Sequence, residues 1–434
     1  MSVADAVAGS DAAVTPGLWG PAATPLGADG APRGVVEPRL AALADLPRGE
    51  RAAAASALLD AAGPTPWRGE RRVIDGVACV ATTFVAEEPQ AAQVLLHVNS
   101  LTDRIREAVA PALLARVDGT DVWHLTWWLP EDLVASYRIA AGEPFALDVG
   151  GTRDGWLSVH ERGRPDPRNP RVLVNPLGHD SSVLVGPAAR VHGAWDRAEP
   201  PLARARVDEL TIEDPVLGGP RRVWLRVPAE ATRLLVLFDG ATWHRHLALA
   251  DALDAAGDRR TAVAMVDSRT LRERSEVLPH PDRVSALLED GVLPAVHTAL
   301  RAGGIGAPGP ERTIVAGESF GGLAALGVVV TRPDLARRAI AQSPSLHFKA
   351  GRERRRDDIE PGDVVRLAEV GVDPTVEAVL TWGTEEEHLA LAVPAMRAAF
   401  AASGAVLHPR AYAGGHDYAW WRTGLLDALS TLPA

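Results

Sequence analysis

The second half of the chain is punctuated by short runs in which nearly every position is apolar. They are Leu234-Leu235-Val236-Leu237-Phe238, Ala262-Val263-Ala264-Met265-Val266, Ile314-Val315-Ala316, Ala339-Ile340-Ala341 and the stretch from Val376 to Leu380. A strand without polar alternation has both faces covered, and segments of helical length separate these runs. The pattern therefore predicts a mostly parallel sheet with helices on both sides. Ahead of it, Val207 to Ile212 and Arg221 to Val227 read as the two arms of a hairpin. Ligands of such sheets bind beyond the carboxyl ends of the strands, which directs attention to the loops after the apolar runs.

From about residue 70 to 200 the rhythm differs. Short strand candidates at 73–74, 77–80, 94–98, 122–127 and 137–139 are separated by turn residues, which predicts a β-sandwich. The stretch RGRPDPRNPRVLVNPLG, dense in Pro, Arg and Asn, reads as loop and starts a connection reaching about residue 200. Between Pro38 and Ala62 the leucine spacing predicts one or two short helices, ended by Pro64 and Pro66. Residues 1–36, rich in Ala, Gly and Pro without period, read as a disordered arm. The expected layout is the arm at 1–36, a helical lead-in and sandwich at 37–200, and an α/β domain at 201–434.

Composition narrows the functional classes. The net charge of −11 over 434 residues argues against general nucleic-acid binding. The one cysteine, Cys79, leaves no disulfide framework and no thiolate metal site, and no resident cofactor is expected. No apolar run approaches the ~18 residues of a membrane helix. The N-terminus lacks the pattern of a signal peptide, so a cytoplasmic enzyme is expected.

Candidate chemistry lies at the strand ends. Gly317-Glu318-Ser319-Phe320-Gly321 follows one apolar run and precedes another, matching G-x-S-x-G. In a nucleophile elbow a strained serine at a strand-to-helix corner presents its Oγ outward, and glycines let strand and helix close in on it. The Phe320 N–H, at a helix start, is placed to stabilise an oxyanion. A base and an orienting acid should follow in chain order. Of His347, His388, His408 and His416, the last sits in a glycine loop, Ala413-Gly414-Gly415-His416-Asp417, after a strand. Glu385, Glu386 and Glu387 follow the run ending at Leu380, and one of them is the expected acid. Leu237-Phe238-Asp239-Gly240-Ala241-Thr242-Trp243 offers the Ala241 N–H as second oxyanion donor, with Asp239 bracing the loop. Arg269, Arg272 and Arg274 form either a solvated charge run or a collector of anionic substrate.

LFDGATW, the stretch from Arg274 to Pro279, GESFGG, AQSPSLHF and YAGGHDYAWWRTGL together resemble the enterochelin esterase family. VNSLTDR, GTDVWHLTWWL, SYRI and DPRNP extend the resemblance to that family's N-terminal domain, so it covers roughly residues 40 to 432. The resemblance implies an α/β-hydrolase domain preceded by an immunoglobulin-like sandwich. It implies an esterase opening the seryl trilactone of a ferric catecholate siderophore, the iron being part of the substrate. It further implies Ser319 as nucleophile, His416 as base and Glu386 as acid, with Arg274 facing the substrate; Trp243 and Arg272 are expected as further substrate-binding residues. Two other readings stand beside it: a different carboxylic ester hydrolase or thioesterase of the same branch, and a siderophore-binding protein without catalysis. Oligomeric state is left open.

Overall fold

The computed structural model describes residues 21–175, 178–195, 205–352 and 360–433. Nine strands form the N-terminal half: β1 (Trp67–Ile74), β2 (Val77–Glu87), β3 (Gln93–Val98), β4 (Ala115–Arg116), β5 (Val122–Pro130), β6 (Val134–Gly142), β7 (Gly163–Arg164), β8 (Val172–Leu173) and β9 (Ser181–Val185). They make two antiparallel sheets, ordered β1-β2-β5-β4 and β3-β6-β9-β8, with β7 on β6. Asp75-Gly76, both at positive φ, joins β1 to β2, as a two-residue hairpin loop requires. The sheets close on one shared core. Phe84, Trp127 and Leu129 from the first pack with Leu96, Tyr137, Ile139 and Leu184 from the second.

The connection expected from residue 162 to about 200 carries more structure than its composition suggests. It holds β7, β8 and β9, and a helix at Arg153–Arg162 precedes it. The Pro-rich stretch folds because side chains stand in for a backbone ladder. Asp166 Oδ2 accepts from Tyr137 Oη at 2.7 Å and Thr65 Oγ1 at 2.6 Å, while Asn169 Nδ2 donates to Tyr137 Oη and to the Val183 carbonyl, both at 3.0 Å.

The arm expected at 1–36 also needs correction. Residues 1–20 lie outside the described residues, but residues 21–36 lie against the protein as an extended strap. Trp128 N donates to Arg33 O at 2.9 Å and Val35 N to Thr126 O at 3.1 Å, so the strap adds backbone pairing to β5. Ala31 is fully buried. Further on, the helix Arg48–Ala62 ends before Pro64, as expected.

The second half contains β10 (Asp208–Glu213), β11 (Pro220–Arg226), β12 (Arg233–Leu237), β13 (Thr261–Val266), β14 (Thr313–Glu318), β15 (Arg338–Gln342), β16 (Glu377–Gly383) and β17 (Val406–Tyr412). They form one eight-stranded sheet ordered β10-β11-β13-β12-β14-β15-β16-β17. The hairpin β10–β11 is antiparallel and pairs antiparallel to β13, and from β13 to β17 every pairing is parallel. Both faces are buried. Val236, Val315 and Ala339 pack with helical Leu326, Val329 and Val296 on one side, and Leu235, Ile314 and Ile340 pack with Trp420, Leu425 and Leu429 on the other. This double coverage is what the unalternated apolar runs demanded.

Candidate active site

Ser319 sits between β14 and the helix Phe320–Thr331 at φ 57°, ψ −118°. Such a backbone costs of order 1–3 kcal/mol and persists where the surroundings impose it. Here the imposing neighbour is the helix. A Cβ on Gly317 would lie 2.6 Å from the Gly321 carbonyl carbon, and one on Gly322 would lie 3.0 Å from the Gln342 carbonyl oxygen. Ser319 N donates to Gln342 O at 2.9 Å, tying the corner to β15. The hydroxyl stands 3.5 Å from Ser345 Oγ, a long and weak contact.

Two strand ends away, the loops after β16 and β17 are laced together. Thr384 N donates to Tyr412 O and Glu385 N to Gly414 O, both at 2.9 Å, and a Cβ on Gly383 would strike the Gly414 carbonyl at 2.3 Å. This contact sets Glu386 beside His416, with Oε1 2.7 Å from Nδ1. The other carboxylate oxygen accepts from Ser343 Oγ at 2.6 Å and from Gly383 N at 2.8 Å. Burial alone would raise the Glu386 pKa, but the His416, Ser343 and Gly383 donors outweigh it and hold the carboxyl below its ordinary value. The three adjacent glutamates thus part company. Glu385 turns to Thr24 and Arg104, Glu387 is largely exposed, and Glu386 alone meets the imidazole. Asp417 caps the last helix through Ala419 N at 2.8 Å and accepts from Ser136 N of β6 at 2.5 Å, so it holds the loop.

A buried polar knot underlies the elbow. Glu318 accepts from Trp243 Nε1 at 3.1 Å and Tyr418 Oη at 2.5 Å. Burial first, and the Asp239 charge next, push its carboxyl up to about 8. Arg274 grips Asp239 with two prongs, Nε to Oδ1 at 2.8 Å and Nη2 to Oδ2 at 2.7 Å, and also reaches the Glu318 carbonyl at 3.3 Å. Burial would weaken its hold on the proton; the Asp239 charge outweighs that and raises its pKa. Asp239 takes a positive φ of 55° and turns the chain into Gly240, where a Cβ would lie 2.4 Å from the Met265 carbonyl carbon. Ala241 and Phe320 each stand in the first turn of a helical segment, where amides lack intrahelical partners.

Two of the expected substrate residues are not brought to this place. Trp243 is fully buried, because its indole N–H serves Glu318. Arg272 is 87% exposed and pairs with Glu276 one helical turn on, so it belongs to the solvated charge run. Arg274 does reach the cavity wall, with its guanidinium committed to Asp239. Ser319 and His416 line two adjoining cavities, of about 300 and 660 Å³. Arg274, Asn175 and Trp421 wall the smaller; Arg104, His347 and His388 help wall the larger. Sequence reasoning missed Ser343, which supports Glu386 from a positive φ of 43°, and Tyr418, which supports Glu318. AQSPS and HDY contain them, but only the fold turns them inward.

Among the described residues, one group offers metal-ligand geometry: His97, Asp103 and His160, with ligand atoms within 4.8 Å of one another. Asp103 is already engaged there, by His97 Nε2 at 3.2 Å, Trp156 Nε1 at 3.0 Å and Ser100 N at 2.7 Å, and serves as a brace.

Comparison with known proteins adds the following. The family model for the N-terminal part of enterochelin esterases matches residues 82–195, and a putative-esterase family model matches residues 216–432. An iron(III) enterobactin esterase of Dickeya dadantii is 31% identical over 392 residues, covering 81% of this chain and 87% of the relative. An iron(III) salmochelin esterase of Escherichia coli is 27% identical, covering 78% and 84%. The crystal structure of the Shigella flexneri enterobactin esterase in the presence of enterobactin superposes with a TM-score of 0.71 at 26% identity, covering 86% of this chain and 96% of that one.

Proposed function

The chain belongs to the enterochelin esterase family, and on that premise we propose that it is a serine esterase hydrolysing the seryl ester bonds of a ferric enterobactin-like trilactone. One observation carries the reading. A strained serine and a histidine–carboxylate pair stand at the carboxyl end of one sheet, two strand ends apart, and all three line the larger cavity. A binding protein has no use for a backbone strain of that kind.

In the proposed mechanism the Ser319 hydroxyl swings from Ser345 toward His416, which takes its proton as Oγ attacks a seryl ester carbonyl. Glu386 holds Nδ1, fixes the tautomer and stabilises the imidazolium that forms. The Phe320 and Ala241 amides receive the oxyanion, each worth about 3 kcal/mol by analogy with measured donors. His416 then protonates the departing serine hydroxyl, and water releases the acyl group by the reverse proton path. The iron travels with the substrate: cutting the scaffold weakens its chelation. Arg274 supports the elbow through Asp239, and no substrate contact is assigned to Trp243 or Arg272. We place the reaction in the cytoplasm; among the described residues no helix is long and apolar enough to cross a membrane.

The test is a mass-resolved time course with ferric enterobactin beside Ser319→Ala. Linear trimer, dimer and monomer are expected with the unmodified protein alone. Hydrolysis of a generic aryl ester without trilactone cleavage would sink the substrate assignment, and silence toward both would favour the binding-protein reading.

A further inference from the structure

The catalytic domain does not hold His416 by itself. Both backbone polar groups of this residue are taken by side chains from the turn after β3. Asn99 Nδ2 donates to His416 O at 3.2 Å, and His416 N donates to Ser100 Oγ at 3.1 Å. The fit leaves no slack, since a Cβ on Gly415 would sit 2.0 Å from Ser100 Oγ. Ser100 is itself strained, at φ 65°, ψ −39°. An outlier of this kind in a non-glycine residue is kept where something over-determines it. Here the restraint is layered. Ser100 N donates to Asp103 Oδ2 at 2.7 Å, Ser100 Oγ donates to Asn99 Oδ1 at 2.9 Å, and Asn99 N donates to Ser136 O of β6 at 2.9 Å. Asp103 is in turn held by His97 and Trp156.

We propose that Asn99 and Ser100 are positioning residues for the His416 imidazole, so that the sandwich domain completes the catalytic machinery. This rests on the reading of His416 as the base. The physical argument is one of constraint. His416 rides on Gly414-Gly415, and its ring is 44% exposed. Glu386 fixes one ring nitrogen. The loop is tied on either side, by Gly415 O accepting from Trp420 Nε1 at 2.6 Å and by Asp417 capping the last helix, but neither contact engages the N–H or C=O of His416 itself. The clamp supplies that missing restraint by holding the peptide groups on both sides of the Cα. Asn99 lines the smaller cavity and Ser100 the larger, so the clamp borders both of the cavities that Ser319 and His416 line.

Ser100→Gly tests it, because glycine accepts the positive φ while losing the hydroxyl that receives His416 N. On a neutral aryl ester, kcat is expected to fall about 10- to 100-fold, the size of loss that a misplaced catalytic group produces. KM and melting temperature should hold. Asn99→Asp, which keeps the acceptor for Ser100 and removes the donor to His416 O, should lower kcat in the same way. Full kcat in both variants, with Ser319→Ala and His416→Ala inactive, overturns the clamp and leaves the esterase reading standing. Activity surviving in His416→Ala overturns the base assignment itself. A fall in kcat only in proportion to lost folded protein assigns the turn a structural role and also overturns the proposal.

Discussion

Glu318 stands one residue before Ser319 with its carboxyl fully buried, between an indole N–H and a phenol O–H. It keeps its proton up to about pH 8 in the fold, whereas an unfolded chain releases it near 4.5. Between those values the folded state binds more protons, so this group's contribution to stability is lost as pH rises from about 4.5 toward 8. One full proton corresponds to a slope on the order of 1 kcal/mol per pH unit. Glu318→Gln is neutral at every pH and should flatten the fall in melting temperature between pH 5 and 8; parallel profiles would contradict this account. The same residue explains a misplaced expectation. Trp243 follows a strand end in sequence and so reads as a cavity residue, but the helical turn after Gly240 rotates its ring inward to meet Glu318. Side-chain direction at a loop is set by partners the sequence does not reveal, as Arg272 and Arg274, two residues apart with opposite fates, also illustrate.

At the scale of elements, the corner at Ser319 is a steric device. Gly317→Ala would put a methyl 2.6 Å from the backbone of Gly321, and neither strand nor helix can withdraw. A loss of about 1–3 kcal/mol or more is expected, with fluorophosphonate labelling of Ser319 abolished. Gly49→Ala, in the helix Arg48–Ala62 with open space around it, should instead stabilise by about 0.4–1 kcal/mol. Equal denaturation midpoints for the two variants would refute the steric reading. Elements of this sort are legible in sequence because their demands are local: unbroken apolar runs for the parallel strands, spaced glycines for the elbow. The helix Arg153–Arg162 was not, since only Trp156 and Val159 of its ten residues are buried, too thin a stripe to show a period. Strand β9 escaped for another reason, in that a proline-rich approach held by the Asp166–Asn169–Tyr137 network hides it.

On the scale of the whole molecule, the site is a meeting of distant segments. The strap brings Thr24, whose N and Oγ1 both donate to Glu385 Oε1 at 2.7 Å, while Arg104 meets the other oxygen at 3.2 Å. Composition misread this strap as disorder because its order comes from contacts far away in sequence rather than from any period of its own. Thr24→Val keeps the shape and deletes one donor to a buried carboxylate. It should cost about 1–3 kcal/mol in chemical denaturation; unchanged stability would show the strap to be incidental.

The separation of these partners has a consequence in time. Thr24 and Glu385 are 361 residues apart, and Asn99 precedes His416 by 317. At ribosomal rates of 5–20 residues per second, the strap waits roughly 20–70 s for its partner to be made. The strands of the sandwich pair among themselves, so that pairing does not wait for the second half. The candidate site does wait, because His416 is made 317 residues after Asn99 and docks onto a turn made long before. On the proposed reading nascent chains are therefore inert toward esters until His416 has been made, and assembly of the site is a long-range step.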